Sequence, residues 1–212
     1  MHIHNLLSPD ECDYLIQEGN KTIERSTVVG NNGTSVRSAI RTSKGTFLER
    51  WYDAVVIRIE QRVASVTMIP FENQEDLQIL NYQKGEKYSL HPDYFEESYQ
   101  TVDDGLQRVT TVLMYLTNVT QGGETIFPYG KWNSRNYDFK NNKVERQKEN
   151  DRISDCAKSK LHVLPNRGDA VMFFDLSTGT DDNRICLNDD FSSDVDLLLP
   201  IEIIYIVSLS IT

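Results

Sequence analysis

His91-Pro92-Asp93 is the tripeptide of this sequence whose residue types and spacing best suit chemistry. In an extended segment, residues i and i+2 project from one face, so an imidazole and a carboxylate converge on one point. Such a pair supplies two ligands of a 2-His-1-carboxylate facial set, which leaves three iron positions open for a bidentate co-substrate and oxygen. Pro92 lacks a backbone donor and favours a strand end or an edge. A His-x-Asp pair recurs by chance, so its surroundings must carry the reading.

Those surroundings divide into helices first and strands afterwards. Ser8-Pro9-Asp10-Glu11 supplies an N-cap serine, a proline at the first helical position and a glutamate three residues after the cap. Cys12, Leu15, Ile16 and Ile23 follow at roughly helical spacing. A second helix is predicted from about Trp51 to Val66, with Trp51, Val55, Ile59, Val63 and Val66 on its buried side. Between them, Gly30 to Gly33 reads as a loop, and Arg41 to Phe47 as another loop or a hairpin tip.

From Leu77 onward, short stretches rich in β-branched and aromatic residues are separated by turn residues. They are Leu77 to Tyr82, Val109 to Leu116, Thr125 to Phe127, Leu161 to Leu164 and Ala170 to Phe174. Gly122-Gly123 reads as the turn feeding the Thr125 strand. Residues 131–159 lack apolar periodicity and read as a mobile surface insertion. The expected fold is α+β and mainly β, a jelly roll braced by N-terminal helices.

Motifs around the pair carry a resemblance. Tyr82-Gln83-Lys84-Gly85-Glu86-Lys87-Tyr88-Ser89-Leu90 precedes it, Gln107 to Leu116 follows, and Gly122-Gly123-Glu124-Thr125-Ile126-Phe127-Pro128 comes next. Together with Asp10 to Ile16, Arg41 to Leu48, Leu164-Pro165 and Gly168 to Phe174, they make roughly residues 3–180 similar to the prolyl 4-hydroxylase family, especially its plant and algal members. The resemblance implies a double-stranded β-helix of the Fe(II)/2-oxoglutarate dioxygenase type, with His91 and Asp93 as iron ligands. It implies that Tyr82 and Thr125 hydrogen-bond 2-oxoglutarate. Tyr88 and Arg108 would face a peptidyl proline, with the Arg41 to Phe47 loop closing over it. Fe(II), 2-oxoglutarate and ascorbate are the implied cofactors and co-substrate, and a proline-rich or collagen-like polypeptide is the implied partner. Each residue also has a structural reading: Tyr82 as a core tyrosine, Thr125 as a strand residue, Arg108 as an ion-pair partner.

The C-terminal end departs from the family. A second histidine ligand, a lysine gripping the far carboxylate of 2-oxoglutarate and a tryptophan-containing strand are expected after Phe174. No histidine follows His162, and no lysine follows Lys160. The division drawn from sequence is therefore a dioxygenase-like domain over 1–182 and an atypical tail over 183–212, with an incomplete or altered C-terminal strand region. His162, Asp175, Asp181 and Asp182 are the residues that could substitute as ligands. The tail alternates Ile201, Ile203, Tyr205 and Val207 with Glu202, Ile204, Ile206 and Ser208, which suits a buried strand or an aggregation-prone edge. Three functions stay open: peptidyl-proline 4-hydroxylation, a catalytically dead isoform that binds proline-rich peptide, and a misprocessed product without function.

Composition narrows the partners. A net charge of −10 over 212 residues argues against nucleic acid, because phosphate binding needs clustered lysine and arginine. Cys12, Cys156 and Cys186 are too few for a disulfide scaffold and wrongly spaced for zinc, leaving room for one disulfide and one free thiol. No N-terminal signal is expected in Met-His-Ile-His-Asn, and Leu197 to Thr212 carries Glu202 and Pro200, which suits a membrane anchor poorly. A location in the endoplasmic reticulum or Golgi lumen is implied by the resemblance alone, and the oligomeric state is left open. Sequons at Asn20, Asn32 and Asn118 would accept glycans only in a secretory setting. Arg167-Gly168-Asp169 looks like an adhesion tripeptide but enters an apolar strand, and reads as structural.

Overall fold

The computed structural model describes residues 1–26, 28–29, 35–36, 41–91, 93–94, 107–128, 152–158, 160–175 and 202–211. In chain order the elements are β1 (His2–Ile3), α1 (Pro9–Gly19), β2 (Glu24–Arg25), β3 (Val28–Val29), β4 (Ser35–Val36), β5 (Lys44–Leu48) and α2 (Ala54–Thr67). A 3₁₀ turn (Phe71–Asn73) leads to β6 (Leu77–Tyr82), β7 (Gln107–Tyr115), β8 (Thr125–Phe127), β9 (Leu161–Val163), β10 (Ala170–Phe174) and β11 (Glu202–Ile211). Seven strands form one antiparallel sheet in the order β1-β10-β7-β11-β6-β5-β2. β3 pairs with β4, and β8 with β9, in two smaller sheets. The described chain is thus mainly β with two α-helices.

Strand alternation gives the large sheet two different faces. Leu77 and Ile79 of β6, Val112 and Met114 of β7, and Ala170 and Met172 of β10 pack with Cys12 and Leu15 of α1 and with Val56, Ile59 and Val63 of α2. The intervening residues, Leu80, Tyr82, Leu113, Tyr115, Val171 and Phe173, cluster with Phe127 of β8 on the other face. The first face is the helix-braced core. The second is a polar-aromatic interior that holds the candidate site.

α1 begins where the sequence predicts it. Ser8 accepts from the Glu11 N–H at 3.2 Å, and Glu11 accepts from the Ser8 N–H at 2.8 Å. Such a cap contributes about 1 kcal/mol, whereas each buried leucine or valine contributes roughly 1.5–3 kcal/mol, so capping decides where the helix starts and packing decides that it stays. Arg62 of α2 forks onto Glu11 at 2.9 Å to both oxygens, tying the helices together and holding the Glu11 carboxyl below its ordinary range.

Several expectations change in three dimensions. α2 starts at Ala54 rather than Trp51, because the Asp53 carboxylate caps Val55 and Val56 at 2.8 and 2.9 Å. Trp51 takes a left-handed φ of 60° and is 51% exposed, so it does not belong to the buried side. The Arg41 to Phe47 loop is largely strand: β5 pairs with β6 over Lys44 to Leu48. Gly45 permits that pairing, since a Cβ there would meet Leu80 Cδ2 at 2.7 Å. Within the predicted mobile insertion, 152–158 is packed, with Ile153 and Ala157 buried against Ile126 and Leu164. The rest of that insertion, and Gly30 to Gly33, lie outside the described residues. β7 begins two residues earlier than predicted and β9 ends one earlier.

The tail contributes the least expected element. β11 lies between β6 and β7, pairing Ile203 with Asn81 and Ile206 with Leu113. A strand with two partners has no free edge, so an apolar sequence on both sides is tolerated there. Segment 176–201 lies outside the described residues.

Gly168 is needed at the entry to β10. It has φ of +87°, and a Cβ would meet Leu7 O at 2.6 Å. Gly168→Ala is therefore expected to lower stability by about 1–3 kcal/mol, the usual cost of a strained conformation plus a backbone clash. Urea denaturation of the two proteins measures it.

Candidate metal and co-substrate site

His91 and Asp93 lie beyond β6 in a non-regular segment, not on a paired strand, and Pro92 is outside the described residues. Their reactive atoms nevertheless converge, with His91 Nε2 3.0 Å from Asp93 Oδ1. His91 Nδ1 is 2.7 Å from Ser89 O. A carbonyl only accepts, so Nδ1 donates to Ser89 O and Nε2 is the ring nitrogen that faces Asp93. Two adjacent ligands at about 2.1 Å from an octahedral cation stand about 3 Å apart, so the Nε2–Oδ1 edge fits Fe(II) at two positions.

The histidine is held from behind by an aromatic stack. The Tyr88 ring lies parallel to the imidazole, with centroids 3.4 Å apart and 12° between planes. On Tyr88, in turn, sits the Arg41 guanidinium, 4.7 Å from the ring centroid. Arg41 is buried, its Nε and Nη2 have no hydrogen-bond partner among the described residues, and its backbone bridges to Tyr88. Burial, above all, raises the Tyr88 phenol, and the nearby Arg41 charge works against that rise. Tyr88 thus stays protonated and can donate.

Arg108 is occupied. Its Nε and Nη2 fork onto Glu75 at 2.7 and 2.6 Å, and Nη1 reaches Asp93 O at 3.4 Å. This is the ion-pair reading of Arg108, with a further contact to the Asp93 backbone. Burial pushes the Asp93 carboxyl up, but the His91 hydrogen bond and the His91 and Arg108 charges outweigh it, so the group is held below its ordinary range. An ionised carboxylate is the form a cation needs.

Tyr82 and Thr125 both fall on the interior side. Tyr82 is buried among Leu80, Leu113, Tyr115 and Phe127. Thr125 is fully buried, and its hydroxyl lies 2.8 Å from the Tyr115 hydroxyl. Alternation on β9 places His162 on the opposite face from Leu161 and Val163, which join that interior cluster. His162 therefore points away from the His91–Asp93 edge. Asp181 and Asp182 lie outside the described residues.

Asp175, Thr111 and Tyr115 join the site from outside the His91–Asp93 motif. Thr111, Leu113 and Tyr115 share a face of β7, a period-2 signal legible in the sequence. Asp175 follows Val171 and Phe173 on the corresponding face of β10 and is completely buried. Thr111 Oγ1 lies 3.1 Å from Asp175 Oδ2 and also hydrogen-bonds Asp93. One hydroxyl hydrogen cannot serve two carboxylates, so a protonated Asp175 best satisfies the trio. Burial first, and the Asp93 charge second, push Asp175 up to about 8. Cys12 and Cys156 are free thiols, and Cys186 lies outside the described residues.

Residues 77–179, which contain this constellation, match the model of the 2OG-Fe(II) oxygenase superfamily. Probable prolyl 4-hydroxylase 10 of Arabidopsis thaliana is 43% identical over 175 residues, covering 82% of this chain and 57% of that relative. The chain belongs to the 2OG-Fe(II) oxygenase superfamily. It spans a little over half the length of the curated prolyl 4-hydroxylases it matches. Among solved folds, this oxygenase chain is similar to the viral collagen prolyl hydroxylase of Paramecium Bursaria Chlorella virus-1 in its 2-oxoglutarate complex. The TM-score is 0.66 at 20% identity, covering 100% of this chain and 96% of the viral one. A Trichoplax adhaerens prolyl hydroxylase, solved with a hypoxia-inducible-factor peptide fragment, aligns at a TM-score of 0.55 and 15% identity, over 99% of this chain and 82% of that one.

Proposed function

We propose that this chain is a prolyl 4-hydroxylase-type dioxygenase domain that acts on peptidyl proline in a proline-rich or collagen-like polypeptide, with Fe(II), 2-oxoglutarate and ascorbate. The observation that carries the reading is the 3.0 Å edge between His91 Nε2 and Asp93 Oδ1 beside a tyrosine-arginine wall. His91 and Asp93 would hold the iron, which when bound supplies the activation of oxygen. Tyr82 and Thr125 would contact 2-oxoglutarate from the interior. Tyr88, held by the Arg41 guanidinium over its ring, would face the peptidyl proline, while Arg108 orients the Asp93 segment through its own backbone contact. Extended proline-rich peptide loses little entropy on docking to an aromatic groove, which suits such a wall.

The jelly roll belongs to the same proposal. In it, β10, β7, β11 and β6 make one sheet and β8-β9 part of the facing one, with residues 1–182 the dioxygenase unit and the tail lending it β11. Setting the chain in the endoplasmic reticulum or Golgi lumen rests on resemblance to the family. No described helix is long and apolar enough to cross a membrane.

A second reading, peptide binding without turnover, is favoured by one observation: residues 163–212 contain no histidine and 161–212 no lysine. Two measurements separate the readings. Under the second reading, succinate production with Fe(II), ascorbate, 2-oxoglutarate and a poly-proline peptide is low, while fluorescence titration still detects peptide binding that Tyr88→Ala weakens about tenfold, as truncating an interface aromatic commonly does. Robust succinate production that depends on His91 would instead make the chain a competent hydroxylase. Loss of both activities would discard both readings.

A further inference from the structure

A second group of metal-binding side chains lies where β1 meets β10. His2, His4 and Asp169 bring one ligand atom each to within 4.8 Å of one another. His2 Nε2 is 3.3 Å and His4 Nδ1 2.9 Å from the same oxygen, Asp169 Oδ2. The two imidazole centroids are 4.3 Å apart with 50° between planes.

This arrangement follows from the local chain path. His2 and His4 are two residues apart, so an extended start would project both from one side. Asn5, at a left-handed φ of 53°, turns the chain and donates its N–H to Asp169 Oδ1 at 2.9 Å. That bond fixes the carboxylate and leaves Oδ2 for the imidazoles. Gly168 and Leu7 hold the same corner, through Leu7 N–H to Gly168 O at 3.0 Å. His4 Nδ1 hydrogen-bonds Asp169 Oδ2, and the tilt of the two rings brings both imidazoles to that one oxygen. His2 Nε2 is buried and stands 3.3 Å from Asp169 Oδ2, without the alignment of a full hydrogen bond among the described residues. A buried ring nitrogen and a carboxylate oxygen at that distance are two donors that one cation can share.

We propose that His2 Nε2, His4 Nδ1 and Asp169 Oδ2 form a binding site for a borderline divalent cation, Zn²⁺ in the first instance, separate from the His91–Asp93 site. Imidazole nitrogen with carboxylate oxygen is a donor set that suits zinc. Bonds of about 2.0–2.2 Å put tetrahedral neighbours about 3.3–3.6 Å apart, so the present contacts need only small side-chain adjustments. Asn5 N–H on the far carboxylate oxygen is the outer partner that orients such a ligand. His4 is 67% exposed, so solvent ions reach the site and water completes the coordination. The ion would cross-link residues 2–4 to residue 169 and fasten the edge strand β1 to β10.

The two sites are separable because Asp169 and Asp175 bracket β10, whose residues rise about 3.3 Å each, roughly 20 Å end to end. Chelator-stripped full chain carrying His91→Ala, which disables the other site, is titrated with Zn²⁺ by calorimetry and by ¹⁵N imidazole NMR. The expected result is one equivalent bound, with His2 Nε2 and His4 Nδ1 shifting together and the melting temperature rising by several degrees. His2→Gln and His4→Gln should each weaken Zn²⁺ at least tenfold and cancel the thermal shift. The NMR signature of the His91→Ala chain is read without altering these three residues, so a poorly folded His2 or His4 variant does not remove the test. Absence of joint imidazole shifts, or unchanged affinity in both glutamine variants, overturns the proposal.

Discussion

Asp93→Ala is expected to lower Mn²⁺ affinity by about a hundredfold or more, beyond the 10–100-fold that losing an outer partner causes. Mn²⁺ replaces Fe(II) in this measurement because it does not oxidise. His91 Nε2 and Asp93 Oδ1 form the one edge the described residues offer beside Tyr88, and removing the carboxylate leaves a single neutral ligand. The reciprocal experiment adds ligands. Placing a histidine and a lysine within 176–201, while keeping 202–211, is expected to raise affinity for Mn²⁺ and for 2-oxoglutarate by roughly 10–100-fold, the worth of a charge-assisted contact. Residues 202–211 must be kept because β11 joins β6 to β7, and exchanging the whole tail would remove a central strand. Isothermal titration with and without 2-oxoglutarate decides the outcome. Equal affinities before and after the graft would mean that a native side chain already fills the third position, with Asp175, Asp181 and Asp182 the first to mutate.

The metal-free protein is expected to lose stability as pH rises from about 4 to 8, and Asp175→Asn to abolish most of that loss. The Asp175 carboxyl is pushed up to about 8 by burial and by Asp93, with Arg108 and Thr111 opposing and Glu75 adding to the rise. Between an unfolded pKa near 3.9 and the folded value, the native state binds the extra proton. The contribution is therefore fully present below the unfolded pKa and is lost as pH rises through the folded one. Each pH unit carries about 1.4 kcal/mol, so a loss on the order of a few kcal/mol is expected once neighbouring groups relax. Asp93 has the opposite sign: its lowered carboxyl contributes above the unfolded pKa and fades only in acid. Asparagine keeps a hydrogen-bonding oxygen toward Thr111 without the buried charge. Urea denaturation in chelator at pH 5 to 9 tests this. Parallel wild-type and Asp175→Asn curves would show that the carboxyl ionises freely.

How much was legible beforehand depends on the distance over which each feature is decided. β6, β8 and β10 begin and end at the residues expected from β-branched and aromatic content. α1 starts at its capping box, whose partners are three residues apart. Trp51 continues the apolar spacing of the second helix and so predicts a start three residues early, yet Asp53, which also receives the Tyr14 hydroxyl, caps the helix after it. The Arg41 to Phe47 stretch reads as a loop by composition, and becomes strand only because β6 offers an edge to it.

The same division runs through the site. His91, Asp93, Tyr82, Tyr88 and Thr125 were named from the sequence, since the family's motifs lie on contiguous stretches and the His-x-Asp spacing is local. Side-chain identity and short-range hydrogen bonding are all such features require. The sequence by itself thus determined the family, the capped first helix, the main strand positions and the His91-x-Asp93 pairing, and it holds no histidine after His162 and no lysine after Lys160. Only the tertiary structure decided that the tail closes the sheet between β6 and β7. It alone joined Arg108 to Glu75, Thr111 to Asp175, and Asp169 to His4 across 165 residues. Those contacts depend on strand order and register, which are selected by burying both faces of a whole sheet at once, and no local pattern encodes that choice.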